Sequence, residues 1–354
     1  MVFHARTTTT VEIIAVYMTH ILLTGAGFSR NWGGWLTDEV FEYLLGCPEI
    51  NQDIQTALWR SKNSKLGFEN TLQDLRAEAE KHKHDRPTSN VKTFERMLEG
   101  MFDSMNNGFK MVRFNPLVPS FTRGPEHDPD HIRHFLASFD AIFTLNQDCL
   151  LELKCNEPGF HQLSEGRWRD MYCPGLKPLT ANGTPYGPPG LFEPDSKLYQ
   201  IEPHQQPYFK LHGSSNWRTG DSTLLVMGGN KGQDIEKHFL LRSYHARFTS
   251  ILQKPDTRLV IIGYSFRDPH INEKILNGIK TGLKLFLIDP NGIDVLSDEI
   301  RVPTNNSMTL RQAIYGSILG ASRRSLNSTF GGDQVEHAKI RRFLTRIGPP
   351  SPMT

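Results

Sequence analysis

The chain has 354 residues, 38% of them hydrophobic and 22% charged, with a formal net charge of +2, the composition of a globular protein long enough to bury a sizeable core. No run approaches the roughly 20 apolar residues that span a bilayer, and the cysteines at 47, 149, 155 and 173 lack the two-residue gap of a zinc or redox pair, so a membrane span and a disulfide scaffold are both excluded. The charge is uneven: residues 301–354 hold eight Arg/Lys against Asp333 and Glu336, which leaves the first 300 residues at net −4.

The N-terminal "TTTT" has no pattern, and "VEIIAVYM" (11–18) carries Glu12 and no leader-type cleavage site. Residues 1–19 are therefore expected to be a loosely ordered extension, with the functional start near Met18. Reduced thiols and no secretory signal lead to the expectation of a cytoplasmic protein. The basic segment 301–354 offers a surface to nucleic acid or an acidic partner, or is simply a solvated face.

From residue 20 the pattern becomes ordered. "HILLTGAGFSRNWGG" (20–34) is a short apolar strand ending in a glycine-rich turn, and "WLTDEVFEYLLG" carries helical spacing closed by Gly46. Residues of about 50–112 read as successive helices, an all-helical insertion. "HIRHFLASF" (131–139) predicts a helix feeding the strand "AIFTLN" (141–146). A Pro/Gly-rich stretch over about 156–206 predicts a long loop, of the kind that serves as a lid or a flexible segment.

The strands "YFKL" (208–211) and "TLLVMG" (223–228) and a helix over roughly 233–253 follow. After them come the strand "RLVIIGYSF" (258–266), the helix "PHINEKILNGI" (269–279) and the strand "LKLFLIDPN" (283–291). "HAKIRRFLTRI" (337–347) predicts a final docking helix. Alternating strands and helices indicate an α/β fold, a Rossmann-like doubly wound parallel sheet. The main domain is expected over 20–300, with 301–354 as a basic C-terminal segment.

Four stretches fall at predicted carboxyl ends of strands, where open α/β sheets bind ligands. In "GAGFSRNWGG", Gly25 and Gly27 would let the backbone approach a phosphate, helix amides would face it, and Ser29 would offer its hydroxyl; a plain tight turn explains the same glycines. In "TLNQDCLLE" (144–152), Asn146 and Asp148 suit either a functional role or a helix cap. In "KLHGSSNW", His212 is either catalytic or a strand-end histidine, and no His, Cys or carboxylate has zinc spacing to it. "IIGYSFRDPHIN" (261–272) and "LIDPN" (287–291) complete the set. An acidic residue about 20 positions after the first strand would mark a hydride-transferring dehydrogenase; Asp38 and Glu39 fall inside a helix instead, so that reading fails.

Taken in order, Gly25-Ala26-Gly27 with Ser29, Thr144-Asn146-Asp148, His212-Gly213, Gly263 with Ser265, and Asp289-Pro290-Asn291 resemble the sirtuin family over about 20–292. The likeness departs from the sirtuin deacylases in two places. No cysteine lies between His212 and Gly263, so no zinc ribbon and no metal are expected, and "WGGWLTDEV" stands where the deacylases carry "GIPDFR". What remains looks like the sirtuin-like domains of bacterial antiphage systems, which hydrolyse NAD.

The resemblance implies NAD as substrate and a NAD glycohydrolase acting in abortive infection. A protein deacylase or ADP-ribosyl transferase, or a sensor of NAD or ADP-ribose, are the alternatives. It implies Asn146, His212 and Asp148 as catalytic residues. Gly25, Ala26, Gly27, Phe28, Ser29, Asn146, Gly263, Tyr264, Ser265, Asp289 and Asn291 would bind NAD. Asn146 would position the ribose or a water, and His212 would take a proton near pH 7. Asp148 would stabilise positive charge at the anomeric carbon or cap its helix. A homo-oligomer or a regulatory partner such as an ATPase or short argonaute is implied, with nucleic acid reached only through the partner or the basic tail.

Overall fold

Three consecutive residues of the first strand, Ile21, Leu22 and Leu23, are fully buried, as expected for a strand covered on both faces. The computed structural model describes residues 18–64, 67–81, 88–112, 114, 132–155, 167–179, 190–229, 231–302 and 305–345. Of the extension expected over 1–19, residues 1–17 lie outside the described residues and Thr19 already belongs to the first strand; 156–166 and 180–189 of the long loop and Ile347 of the final helix also lie outside them.

In chain order, β1 (Thr19–Thr24) leads into α1 (Ala26–Arg30) and α2 (Thr37–Leu45). The helices α3 (Gln52–Asn63), α4 (Glu69–Lys81), α5 (Thr88–Met111) and α6 (Ile132–Ala137) come next. Then follow β2 (Ala141–Thr144), α7 (Leu150–Cys155), β3 (Asp170–Tyr172), β4 (Leu176–Pro178), β5 (Phe192–Pro194), β6 (Gln205–Lys210), β7 (Gly213–Thr219) and β8 (Ser222–Leu225). The helices α8 (Lys231–Lys237) and α9 (Phe239–Leu252), strand β9 (Thr257–Ile262), helix α10 (Pro269–Lys280) and strand β10 (Lys284–Ile288) form the next stretch. The chain closes with β11 (Arg301–Val302), β12 (Asn305–Thr309), α11 (Leu310–Ile314), β13 (Ile318–Ser322), α12 (Leu326–Thr329) and α13 (Gln334–Leu344).

Seven strands form one parallel sheet in the order β13-β10-β9-β1-β2-β6-β3. Because side chains alternate along a strand, two cores result. Ile21, Leu23, Phe143, Phe209 and Ile261 point to one face, where Tyr244 and Phe248 of α9 and Ile271 and Ile275 of α10 cover them. Leu22, Ile142, Tyr208, Val260 and Ile262 point to the other, under Leu44, Leu58, Leu72, Phe94 and Leu98 of α2 to α5 and Ile340 and Phe343 of α13. The all-helical insertion is thus one cover of a doubly wound sheet. Each large apolar side chain so buried stabilises the fold by about 1.5–3 kcal/mol. No described helix is long and apolar enough to cross a membrane.

Register brings the strand ends level. Thr24 pairs with Thr144 and Ile262, Thr144 with Lys210, Ile262 with Ile288, and Ile288 with Ser322. One row of residues therefore closes the sheet, and the next one or two positions of six segments emerge along a single edge. The strand order reverses between β1 and β9, which opens a crevice there.

Several expectations are corrected. The 156–206 stretch contains strands β3, β4 and β5 among its described residues, and "GSSNWRT" (213–219), assigned no element from the sequence, is strand β7. The sheet β4-β5-β7-β8 that joins them takes its strand character from pairing, since its sequence is polar. The helix over 233–253 is two helices separated at His238, whose backbone is extended. The segment after 300 supplies β13, the seventh strand, and four of its cations pair with carboxylates: Arg311 and Arg323 with Asp294, Arg324 with Asp333 and Lys339 with Glu336.

Candidate functional site

A cleft of about 1130 Å³ opens along the row of strand ends. Residues after β1 (Gly25, Ala26, Gly27), β2 (Asn146, Asp148), β6 (His212), β9 (Gly263, Tyr264, Ser265) and β10 (Asp289, Asn291) all line it. The register explains the convergence: Asn146 and His212 each lie two residues beyond a member of the terminal row. Phe41, Met101, Phe102 and Met105 of the helical layer add an apolar wall.

Asn146 is fixed by a chain of hydrogen bonds. Its Nδ2 donates to Oγ of Ser29 at 2.9 Å, and that hydroxyl donates to Oδ2 of Asp148 at 2.8 Å. The other carboxylate oxygen of Asp148 accepts from the Leu150 amide at 3.0 Å, which caps α7. Thr24 and Thr144 hydroxyls bond across β1 and β2 at 2.8 Å, and Thr144 also receives the Asn146 amide at 3.0 Å. Beneath this loop lies Lys210, buried, whose ammonium donates to the Asp148 carbonyl and pairs with Glu152 at 2.7 Å. Burial is the largest influence and works against that ammonium, but Glu152, Cys149 and Asp148 together outweigh it and hold the lysine above its ordinary pKa.

The Gln147 side chain ties this loop to the next strand end. Its Nε2 donates to the carbonyls of His212 and Val226, both at 2.9 Å, while its backbone carbonyl accepts from Ser215 at 2.8 Å. His212 is thereby anchored through its backbone one residue from Asn146. Gly213 has φ +80°, and a Cβ there would lie 2.1 Å from the Leu224 carbonyl, so the residue after the histidine has to be glycine.

The His212 imidazole is buried, with Nε2 3.1 Å from Nε2 of His270. One ring donates and the other accepts, so the two nitrogens share a single proton. Burial first, then the positive charges of Lys231, His270 and His245, push His212 well below the ordinary histidine pKa. Burial likewise brings His270 down to about 4 and His245 to about 3. His245 donates from Nε2 to the Leu211 carbonyl at 2.9 Å, bracing the same strand end from behind. Lys231 pairs with Glu69 at 2.8 Å and Asp268 at 2.9 Å.

Several residues do not take the positions expected of them. Phe28 is buried in the core beside Trp32, with ring centroids 5.1 Å apart, and does not line the cleft. A helix starting at residue 26 turns its second side chain away from the strand ends. The Ser29 hydroxyl is engaged by Asp148, so it serves to fix Asn146 instead of facing the cleft. Asp148 has both carboxylate oxygens occupied and acts as a cap and anchor. The Asp289 carboxylate accepts from the Asn291 amide at 2.9 Å, which closes its own turn.

The first glycine turn also has a reason in the packing that the sequence does not show. The amides of Gly25 and Gly27 donate to the carbonyls of Ile262 and Gly263, at 2.9 and 3.0 Å, and Phe28 donates to Gly25. A Cβ on Gly27 would lie 2.7 Å from Gly263 Cα, and one on Gly263, where φ is +59°, would lie 2.4 Å from Gly27 Cα. Glycine is required because two backbone turns press on each other. His212 is a weaker base than expected, chiefly because it is buried, with the Lys231 ammonium nearby adding to the effect.

Sequence reasoning missed Gln147, Lys231, Asp268, His270 and Arg267. "FRDPHIN" held the last three in view, but only the fold shows that α10 starts against the end of β6. Arg267 lines the cleft and has no carboxylate partner among the described residues, whereas Arg30 and Lys62 pair with Glu39 and Asp38. Its backbone follows Phe266, held at φ +56° with its ring buried.

Comparison with known proteins gives a family match over part of the chain and several similar solved structures. Residues 140–294 match the family model for the SIR2-like domain. No curated protein matches the chain. Similar solved structures include a Sir2 homologue in complex with NAD, 12% identical, covering 92% of this chain and 91% of that one, with a TM-score of 0.40. Another is a Sir2 homologue mutant in complex with ADP-ribose, 12% identical, covering 94% and 96%, with a TM-score of 0.37.

Proposed function

We propose that this sirtuin-like chain, whose residues 140–294 match the SIR2-like domain, is a NAD glycohydrolase that cleaves NAD to nicotinamide and ADP-ribose. The observation that carries the reading is the arrival of Asn146 and His212 in one cleft beside the interlocked glycine turns. In this reaction the bond from the nicotinamide nitrogen to the ribose carbon breaks, and its electron pair leaves on nicotinamide, which departs neutral. No general acid is needed for departure. What the site must supply is orientation of the ribose, stabilisation of an oxocarbenium-like centre and a water whose proton is taken up.

Asn146, held rigid through Ser29 and Asp148, orients the ribose or the water. His212 accepts the proton of the water or of a ribose hydroxyl, and His270 beside its Nε2 steadies the ring and shares the charge. Gly25, Ala26, Gly27, Gly263, Tyr264 and Ser265 shape the floor under the diphosphate and riboses. Arg267 offers the charge-assisted hydrogen bonds a diphosphate calls for. Asp289 and Asn291 stand at the adenosine end. The order of motifs, which resembles sirtuin-like domains of antiphage systems, supports a role in abortive infection. Restraint would then come from a second copy or a regulatory partner such as an ATPase or short argonaute.

The test mixes the purified chain with NAD, with and without an acylated peptide, and follows nicotinamide and ADP-ribose. Peptide-independent release is expected, falling 10²–10⁴-fold in His212→Ala and to a similar degree in Asn146→Ala. Because the base must be neutral and its pKa is depressed, the rate should be flat above about pH 6.5 and fall only in more acidic solution. Release that requires the peptide would mean a deacylase, and tight NAD binding without turnover would mean a sensor.

A further inference from the structure

His212, Asp268 and His270 reach one point from two elements. His212 follows β6, whereas Asp268 and His270 sit at the start of α10. One ligand-type atom from each lies within 4.8 Å of the others, and the two imidazole Nε2 atoms are 3.1 Å apart. Two imidazoles bound to tetrahedral zinc at about 2.0–2.1 Å hold their nitrogens roughly 3.3–3.4 Å apart. The pair therefore needs to open by a few tenths of an ångström, and its rings, now nearly head-on with centroids 5.3 Å apart, need to turn toward a shared point to chelate.

Asp268 supplies the third ligand. Lys231 engages its Oδ1 at 2.9 Å and the Glu69 carboxylate at 2.8 Å, which leaves Oδ2 for a cation. The Lys231 ammonium lies between two carboxylates, so with neutral imidazoles the group carries one net negative charge and admits a dication. Two imidazoles and a carboxylate are a donor set for zinc and its neighbours in the first transition row, not for magnesium or calcium. The expectation of no metal rested on sequence spacing, which cannot register ligands 56 residues apart.

We propose that His212, Asp268 and His270 form a three-ligand site for a zinc-class divalent cation. Its fourth position faces the cleft, and occupancy stops the reaction by taking the lone pair of His212. The binding half is independent of the hydrolase reading, while the inhibitory half rests on it.

The experiment uses the full chain, stripped with chelator and titrated with Zn²⁺ and with Co²⁺ as a visible probe. One metal per chain is expected, with the intense absorption of four-coordinate Co²⁺. Nicotinamide release should fall at least ten-fold with one equivalent of Zn²⁺ and return on chelation. His270→Gln and Asp268→Asn, each checked by circular dichroism and thermal melting, should bind at least ten-fold more weakly, and whatever release each retains should no longer respond to Zn²⁺.

Stoichiometric binding that survives both substitutions, or no binding at micromolar metal, overturns the site. Binding at these ligands with release unchanged or raised overturns the inhibitory half. A wild-type chain that binds Zn²⁺ through these residues yet never releases nicotinamide when metal-free upholds the site and overturns the hydrolase reading.

Discussion

Lys210 shows how a residue far from any substrate can set the geometry of the site. Its ammonium, 1% exposed, lies under the Asn146–Asp148 loop and holds both the Asp148 carbonyl and Glu152. Replacing it by methionine keeps the volume and leaves the Glu152 carboxylate buried without its cation. Breaking a buried pair from one side costs about 3–5 kcal/mol. Lys210→Met should therefore lower the unfolding free energy by that amount in urea titration, and adding Glu152→Gln should restore most of it. A loss below 1 kcal/mol, or no recovery in the double variant, would show that the pair does not hold the loop. Asn146 and His212 were visible from sequence because each ends an apolar run beside a glycine or cap-forming residue. Lys210 was not, because a lysine closing a strand reads as an ordinary surface end.

At the level of elements, the contact between the turns after β1 and β9 decides the shape of the cleft floor. Gly27 and Gly263 meet backbone to backbone, and Gly263 also requires a left-handed φ of +59°. Gly263→Ala adds both strain and a collision with backbone that has no room to give. The expected outcome is a loss of about 2 kcal/mol or more in stability together with at least a ten-fold weaker affinity for NAD, measured by thermal melting and calorimetric titration. Unchanged affinity would separate the turn contact from ligand binding.

The strands β1, β2, β9 and β10 were legible because burial on both faces gives each a continuous apolar run. Strand β13 escaped, since "ILGAS" (318–322) lies at the sheet edge, mostly half-exposed, and carries Gly320. The break at His238 and strand β7 also escaped, because neither the spacing of apolar residues nor strand propensity marks them; contacts made across the fold create both.

For the whole molecule, the sheet draws strands from both ends of the described chain. Arg323, Arg324, Ser325 and Leu326, just beyond β13, also line the cleft. The Asn31 side chain, after α1, accepts from the Leu326 amide at 2.9 Å and donates to the Gly27 carbonyl at 2.9 Å. A chain truncated after residue 304 would expose the edge of β10 and lose this clasp on the glycine turn. It should unfold with reduced cooperativity and fail to bind NAD, as followed by denaturant titration and calorimetry. A truncated form that melts like the full chain would show that the last fifty residues are an appendage.

The even row of strand ends has a bearing on biosynthesis. Its members are made from Thr24 through to Ser322, so the crevice cannot close while the polypeptide is still being translated. At about 5–20 residues per second, the ribosome needs on the order of ten seconds or more between making Asn146 and completing β13. Under the proposed hydrolase reading, the chain is thus born inert, and the cell gains that interval for a regulatory partner to meet it.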